Sequence, residues 1–248
     1  MIGARQAAVR GDVVVIVDVL SFSTEIALAV AEGKTCLVYS DAELESMGGA
    51  EVVAASLDAR PYRRFQHFVA DGAQLPPARS SPSVSGERVL FRSANGASAA
   101  RAAETAPELL IGSLRNARAC ASHVGRLLAG TDVQRVTLVA CGSVAGPGGE
   151  HRFRPALEDW LAAGQIAAHL ASFGLVLSPE AHAAARSWPG AEMLPACVAA
   201  DALIAADLDE MVELAFAIDS SGAVPARLAG DPSGRVFAPA AIPVTSPD

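Results

Sequence analysis

Lysine is almost absent from this chain: Lys34 is the only one among 248 residues, so nearly all positive charge rests on arginine. The arginine fork matches phosphate and carboxylate in a way an ammonium does not. Positive charge is also outnumbered, 19 Lys and Arg against 27 Asp and Glu, for a net charge of −8 and a pI of about 5.1. Nucleic acid, whose phosphates demand a basic face, is therefore not an expected partner. A small anion would be repelled by the overall field unless an arginine cluster or a bound cation offsets it. No apolar run reaches the roughly 20 residues of a membrane helix, since Arg, Asp, Glu, Ser or Gly interrupts every candidate, and no membrane association is expected. The opening segment MIGARQAAVRGD has no apolar centre of signal-peptide length, so the expected location is cytoplasmic. The cysteines, Cys36, Cys120, Cys141 and Cys197, form neither a C-x-x-C pair nor a cluster with histidine, and they read as reduced thiols.

Familiar catalytic signatures are missing as well. The strand ending in Asp18 starts like a haloacid-dehalogenase phosphatase, but Leu20 stands where that chemistry needs a second aspartate. A cysteine phosphatase needs an arginine six positions after its nucleophile, and after Cys141 that position is Pro147. Ser98 is followed by Ala99 and Ala100, so there is no G-x-S-x-G elbow. CGSVAGPGG is not a dinucleotide fingerprint and no P-loop lysine exists, which disfavours a nucleotide-dependent oxidoreductase.

What is present is an alternation of strand and helix signals in a chain that is 51% hydrophobic and 19% charged. Strands are expected at Val13 to Asp18, Thr35 to Tyr39, Glu51 to Ser56, Val89 to Ser93, Glu108 to Gly112, Val136 to Cys141 and Val224 to Leu228. Helices are expected at about Ser23 to Glu32, from the capping box Ser40-Asp41-Ala42-Glu43, and over 97–103, 114–130, 156–173, 179–185, 196–206 and 209–217. Continuous apolar strands alternating with helices predict a three-layer α/β/α fold on a mostly parallel or mixed sheet, as a single domain over 1–248. Residues 58–87 read as a long surface loop, and the Pro/Gly-rich tail from about 230 reads as frayed.

In such sheets ligands bind outside the carboxyl ends of the strands. Four strand ends carry polar clusters: Asp18 with Ser21, Ser23 and Thr24; Ser93-Ala94-Asn95-Gly96; Gly112-Ser113-Leu114-Arg115-Asn116; and Cys141-Gly142-Ser143, leading to Arg152, Arg154, Glu158 and Asp159. Each cluster alone reads equally as helix capping, worth about 1 kcal/mol. Four at one edge predict an anion site built from helix N-termini, hydroxyls and arginine forks.

These blocks, in order, resemble those of the 2-phosphosulfolactate phosphatases. VVIVDVLSFST, Ser93-Ala94-Asn95-Gly96, Gly112 to Ala117, RPALEDWLAAG, PACVAADALIAADL and DSSGAVP carry the resemblance over most of the chain. Ser21 stands where many members carry arginine, a form similar to a bacterial branch, and the chain reads as a divergent member of it. Asp201 and Ala202 replace the usual arginine and glutamate of an S-G-R-E-L-I block. The resemblance implies a fold peculiar to the family and Mg2+-dependent hydrolysis of 2-phospho-3-sulfolactate to sulfolactate and phosphate. On that basis Asp18 is expected as a metal ligand, nucleophile or water-orienting base, with Glu158 or Asp159 as further ligands to Mg2+. Adjacent residues on a helix point about 100° apart, so Glu158 and Asp159 are not expected to share one ion easily. Asn95, Arg115 and Arg154 are the other expected catalytic residues. Ser21, Ser23, Ser93, Gly96, Ser113, Asn116 and Gly142 are expected to bind a small anionic phosphorylated substrate. The alternative is a catalytically impaired relative that binds an anionic metabolite or a partner; a homo-oligomer is compatible with either.

Overall fold

A computed structural model of the chain describes residues 2–62, 86–143, 153–231 and 233–240. Its strands are β1 (Val13–Val17), β2 (Thr35–Tyr39), β3 (Arg60–Pro61), β4 (Arg88–Arg92), β5 (Leu109–Gly112), β6 (Val136–Ala140), β7 (Pro225–Arg227) and β8 (Val236–Pro239). Its helices are α1 (Ile2–Val9), α2 (Thr24–Ala31), α3 (Asp41–Ser46), α4 (Ala50–Ser56), α5 (Gly96–Ala102), α6 (Ala117–Gly130), α7 (Leu157–Ser172), α8 (Pro179–Arg186), α9 (Val198–Ile204) and α10 (Asp209–Ala215).

The strands form one sheet in the order β3-β4-β2-β8-β7-β5-β1-β6. Side-chain alternation along β1 divides the interior. Val14 and Ile16 pack with Ala7 of α1, Ile26 of α2 and Ala100 of α5. Val13, Val15 and Val17 face the other way, against Ala121 of α6, Ile166 of α7 and Met211 of α10. All five β1 residues are at most 1% exposed, and each such side chain contributes roughly 1.5–3 kcal/mol of burial. Leu37 and Leu90 extend the second face toward Leu44 of α3 and Val53 of α4. The result is a three-layer α/β/α arrangement on a mixed sheet.

Strand direction departs from the sequence expectation in a way that decides where the site lies. β5, β1 and β6 are mutually parallel, as are β2, β4 and β3. The pair β7 and β8 lies between these blocks and is antiparallel to each other and to the flanking strands β5 and β2. Three antiparallel steps reverse direction, so β1 and β4 run oppositely and their carboxyl ends do not share one edge. A sheet twisting by roughly 20–25° per strand lifts diagonally opposite corners toward the same face. The chain beyond β1 and the chain beyond β4 meet, with Ser93 Oγ 3.4 Å from Asp18 Oδ2.

Two local expectations are corrected. Glu51 to Ser56 is helical, as α4, because Val53 and Ala54 are buried while Val52 is 57% exposed, an arrangement set by helical rather than alternating packing. Gly48 and Gly49, at φ of 93° and 101°, make the turn that separates it from α3. The tail expected to fray from about 230 contains β8, which lies mid-sheet with Phe237 fully buried. Asp231 shapes the turn into β8, its carboxylate accepting from the amides of Ser233, Arg235 and Val236. Most of the expected loop at 58–87 lies outside the described residues; Arg60–Pro61 form β3. Helix α1 is an element the sequence patterning did not mark. Among the described residues no helix is long and apolar enough to cross a membrane.

Candidate active site

β1 delivers Asp18 to one corner, where it is 6% exposed. The chain then makes a kinked turn, Val19–Ser23, in which Leu20 leaves helical geometry, before entering α2. This turn closes on its own hydroxyls: Ser23 Oγ accepts the Asp18 N–H at 2.8 Å and Thr24 Oγ1 donates to the Val19 carbonyl at 2.7 Å. Ser23 is thus a fully buried structural group rather than one turned to a ligand. Ser21 Oγ donates to the carboxylate of Glu25, a buried acid in the first turn of α2 that sequence reasoning passed over. The Ser21–Glu25 spacing of four, one helical turn, is the signal that could have found it.

From the other corner, the segment after β4 reaches Asp18. Ser93 Oγ lies 3.4 Å from Asp18 Oδ2 and accepts the Gly96 N–H at 3.0 Å. Gly96 opens α5, its N–H also bonds the Asp18 carboxylate, and a Cβ placed on it would lie 2.1 Å from the Phe22 ring. Only glycine lets the two turns approach this closely. The neighbouring Asn95 Oδ1 is buried, with no hydrogen-bond partner among the described residues.

α7 supplies two further acids from its first turn, where the helix dipole favours negative charge. Asp159 Oδ1 accepts the Val19 N–H at 2.7 Å and Oδ2 the Gly142 N–H at 2.9 Å, so one carboxylate ties the ends of β1 and β6 together. Gly142 has φ of 69° and carries the Phe153 ring over its α-carbon. Glu158 is 4% exposed and points elsewhere, as an adjacent helical residue must. It lies beside the Cys197 thiol, at the start of α9.

Two of these buried acids are shifted from their ordinary values. Burial pushes the Asp18 carboxyl up to about 7; the Gly96 N–H and Ser93 hydroxyl oppose this, and the Glu158 charge reinforces it. Burial, and then the charge of Asp18, push Asp159 up to about 8 against the amides of Val19 and Gly142. Cys141 is raised well above the usual thiol range by burial and by the charges of Asp18 and Asp159. Both causes oppose the thiolate that a nucleophile needs.

The remaining expected residues divide. Ser113 and Asn116 bond each other: Asn116 Oδ1 accepts from the Ser113 amide and hydroxyl, and its Nδ2 donates to the Ile111 and Ala223 carbonyls. Both are fully buried and internally satisfied. Arg115 donates to the Leu214 carbonyl of α10 at 2.5 Å, so it anchors a covering helix and is not brought to Asp18. Arg154 pairs its backbone with Ser143 beside Gly142. Arg152 lies outside the described residues. A cavity of about 620 Å³ along β6, α7 and α8 includes none of the three acids.

The family model for 2-phosphosulpholactate phosphatase matches residues 3–229. The chain belongs to this family. Its name is that of a hydrolase acting on a phosphate monoester. A comparison with curated proteins gave no match. The family match spans both corners, α7 and α9, so the convergence of Asp18, Ser93, Gly96, Glu158 and Asp159 lies within it.

The donor chemistry suits a hard cation. Among the described residues no three His, Cys, Asp or Glu side chains group as a metal cage. Mg2+ rarely uses one; it is bound by one or two carboxylates, with waters and substrate phosphate completing its octahedron. Asp18 and Glu158 are the carboxylates that would hold such an ion, since Asp159 has both oxygens engaged by backbone amides.

Proposed function

We propose that this chain is a Mg2+-dependent phosphatase of a small phosphorylated hydroxy acid, resembling 2-phosphosulfolactate phosphatase, working in the cytoplasm. The observation that carries the proposal is the buried Asp18 carboxylate flanked by Glu158, Asp159, the Ser93 hydroxyl and the Gly96 N–H, in a member of that family. Hydrolysis of a phosphate monoester dianion calls for up to about 10²¹-fold acceleration, achieved mostly by positioning and charge neutralisation. Asp18 and Glu158 would hold Mg2+, which when bound neutralises charge on the phosphate and polarises its oxygens.

This chain's own groups do the rest. Asp159 fixes the separation of the β1 and β6 ends, and with it the position of Asp18. Asn95 Oδ1, a buried acceptor, would take a hydrogen bond from an attacking water. Arg154 is the proposed clamp on the phosphate, as a guanidinium that can bind two oxygens at once. Arg115 acts from a distance, holding α10 over the turn after β1. The unpaired thiols at 36, 120, 141 and 197 agree with a reducing compartment.

The test is phosphate release from a panel of phosphorylated hydroxy acids and sugars, with Mg2+ and with chelator. Turnover that needs Mg2+ and falls at least about 10³-fold in Asp18→Asn supports the proposal. Calorimetric binding of the same compounds without turnover supports the alternative of an impaired, anion-binding relative.

A further inference from the structure

The cavity of about 620 Å³ outside the acid corner has a chemistry of its own. It follows β6, the last strand in the sheet order. Val136, Leu138 and Ala140 of that strand line it together with Trp160, Ala163 and Leu170 of α7 and Ala181 of α8. Val136 to Ala140 span about 13 Å of strand and Trp160 to Leu170 about 15 Å of helix, so the apolar part is elongated. α7 runs back along β6, because Asp159 in its first turn bonds the Gly142 amide just beyond that strand. Trp160 therefore marks one end of the cleft, and Arg135, the residue before β6, marks the other.

The Arg135 end is polar and is built on Asp12, a carboxylate 1% exposed. Asp12 Oδ2 accepts from Arg10 Nη2 and from Thr137 Oγ1, each at 2.7 Å, and Oδ1 accepts from Arg135 Nε at 3.3 Å. Arg10, Asp12 and Arg135 all line the cavity, and both arginine side chains remain accessible to solvent. One buried acid thus holds two guanidiniums, which leaves a net charge of +1 and further N–H donors to offer a ligand. That surplus matches a monoanion. Glu180, an exposed acid in the first turn of α8, also borders the cavity and weighs against a dianion. A mostly apolar cleft of this size, with a few fixed polar groups, has the form of a small-molecule site.

We propose that this cavity is a second ligand site, for a monocarboxylate with a straight apolar chain. Arg10 and Arg135 take the carboxylate, and the chain lies along β6 against α7 and α8. Calorimetric titration of the full chain with decanoate, octanoate and decan-1-ol, each below its aggregation concentration, tests this without any need for turnover. The expected result is one decanoate per chain. Octanoate should bind roughly tenfold more weakly, since each buried methylene is worth about fourfold in affinity. Decanol, which lacks the charge, should also bind at least about tenfold more weakly than decanoate. Arg135→Gln should weaken decanoate at least about fivefold and leave decanol unchanged, a difference within one variant that misfolding does not mimic. Ala181→Phe, with its melting curve checked by circular dichroism, should weaken both ligands at least about tenfold by filling the cleft. Equal affinity for decanoate and decanol in the wild type overturns the proposal. So does the lack of saturable decanoate binding, or binding of several decanoates per chain that Ala181→Phe leaves intact.

Discussion

Asp18 is held where burial opposes its charge, so the residue proposed to carry activity also costs stability. Its folded pKa of about 7 lies above the ordinary 3.8. A raised value means that the favourable contribution is complete below pH 3.8 and is lost as pH rises through 7. Asp18→Asn should therefore abolish turnover while stabilising the metal-free protein at pH 8 by about 1–3 kcal/mol, a Tm increase of at least about 2 °C. The gain should vanish near pH 3, which differential scanning calorimetry at the two pH values would reveal. Gly96→Ala should act oppositely on stability, since its new Cβ would meet the Phe22 ring. Overpacking of this kind costs about 1–3 kcal/mol, and Phe22→Leu in the same molecule should recover part of it, read by urea denaturation as a double-mutant cycle.

At the scale of elements, α7 is both a wall of the core and the source of two acids with different duties. Asp159→Asn turns an NH2 group toward a backbone N–H, leaving one buried donor unsatisfied at the end of β1 or β6. The unsatisfied donor costs about 1–3 kcal/mol and offsets what removal of a burial-raised acid returns, so Asp159→Asn should be less stable than Asp18→Asn; the Tm of the two variants at pH 8 checks it. Most elements were legible from sequence because continuous apolar strands and capped, 3.6-periodic helices carry their own signals. α4 was not, because Val52-Val53 looks like strand until packing shows which valine is buried. β8 was hidden by prolines and glycines, and its pairing with β2 joins residues about 200 apart in sequence, which no local pattern encodes. In the site, Asp18, Ser93, Gly96, Glu158 and Asp159 were legible as strand-end and helix-start groups. The internal duties of Ser23, Ser113 and Asn116 were not, since a turn hydroxyl looks the same in sequence whether it closes its own turn or faces a ligand.

For the whole molecule, the site depends on sheet geometry rather than on a common edge. β7 and β8 set the reversal that makes β1 and β4 antiparallel, and the segments that follow those two strands meet at Asp18 and Ser93. Phe237, buried in β8, is therefore remote from Asp18 in sequence yet central to the frame that positions it. Phe237→Ala should cost about 3–5 kcal/mol, with activity falling in step with the folded fraction measured by circular dichroism. The central claim is that these corners create a cation site in an acidic protein. Titration calorimetry with Mg2+ at pH 6.5, in two buffers of different ionisation enthalpy, tests it most directly, because a cation entering beside a partly protonated Asp18 must displace protons. The account predicts Mg2+ binding with proton release in the wild type, and binding at least about tenfold weaker, without that release, in Asp18→Asn. Equal affinity and equal proton release in the two proteins would contradict it.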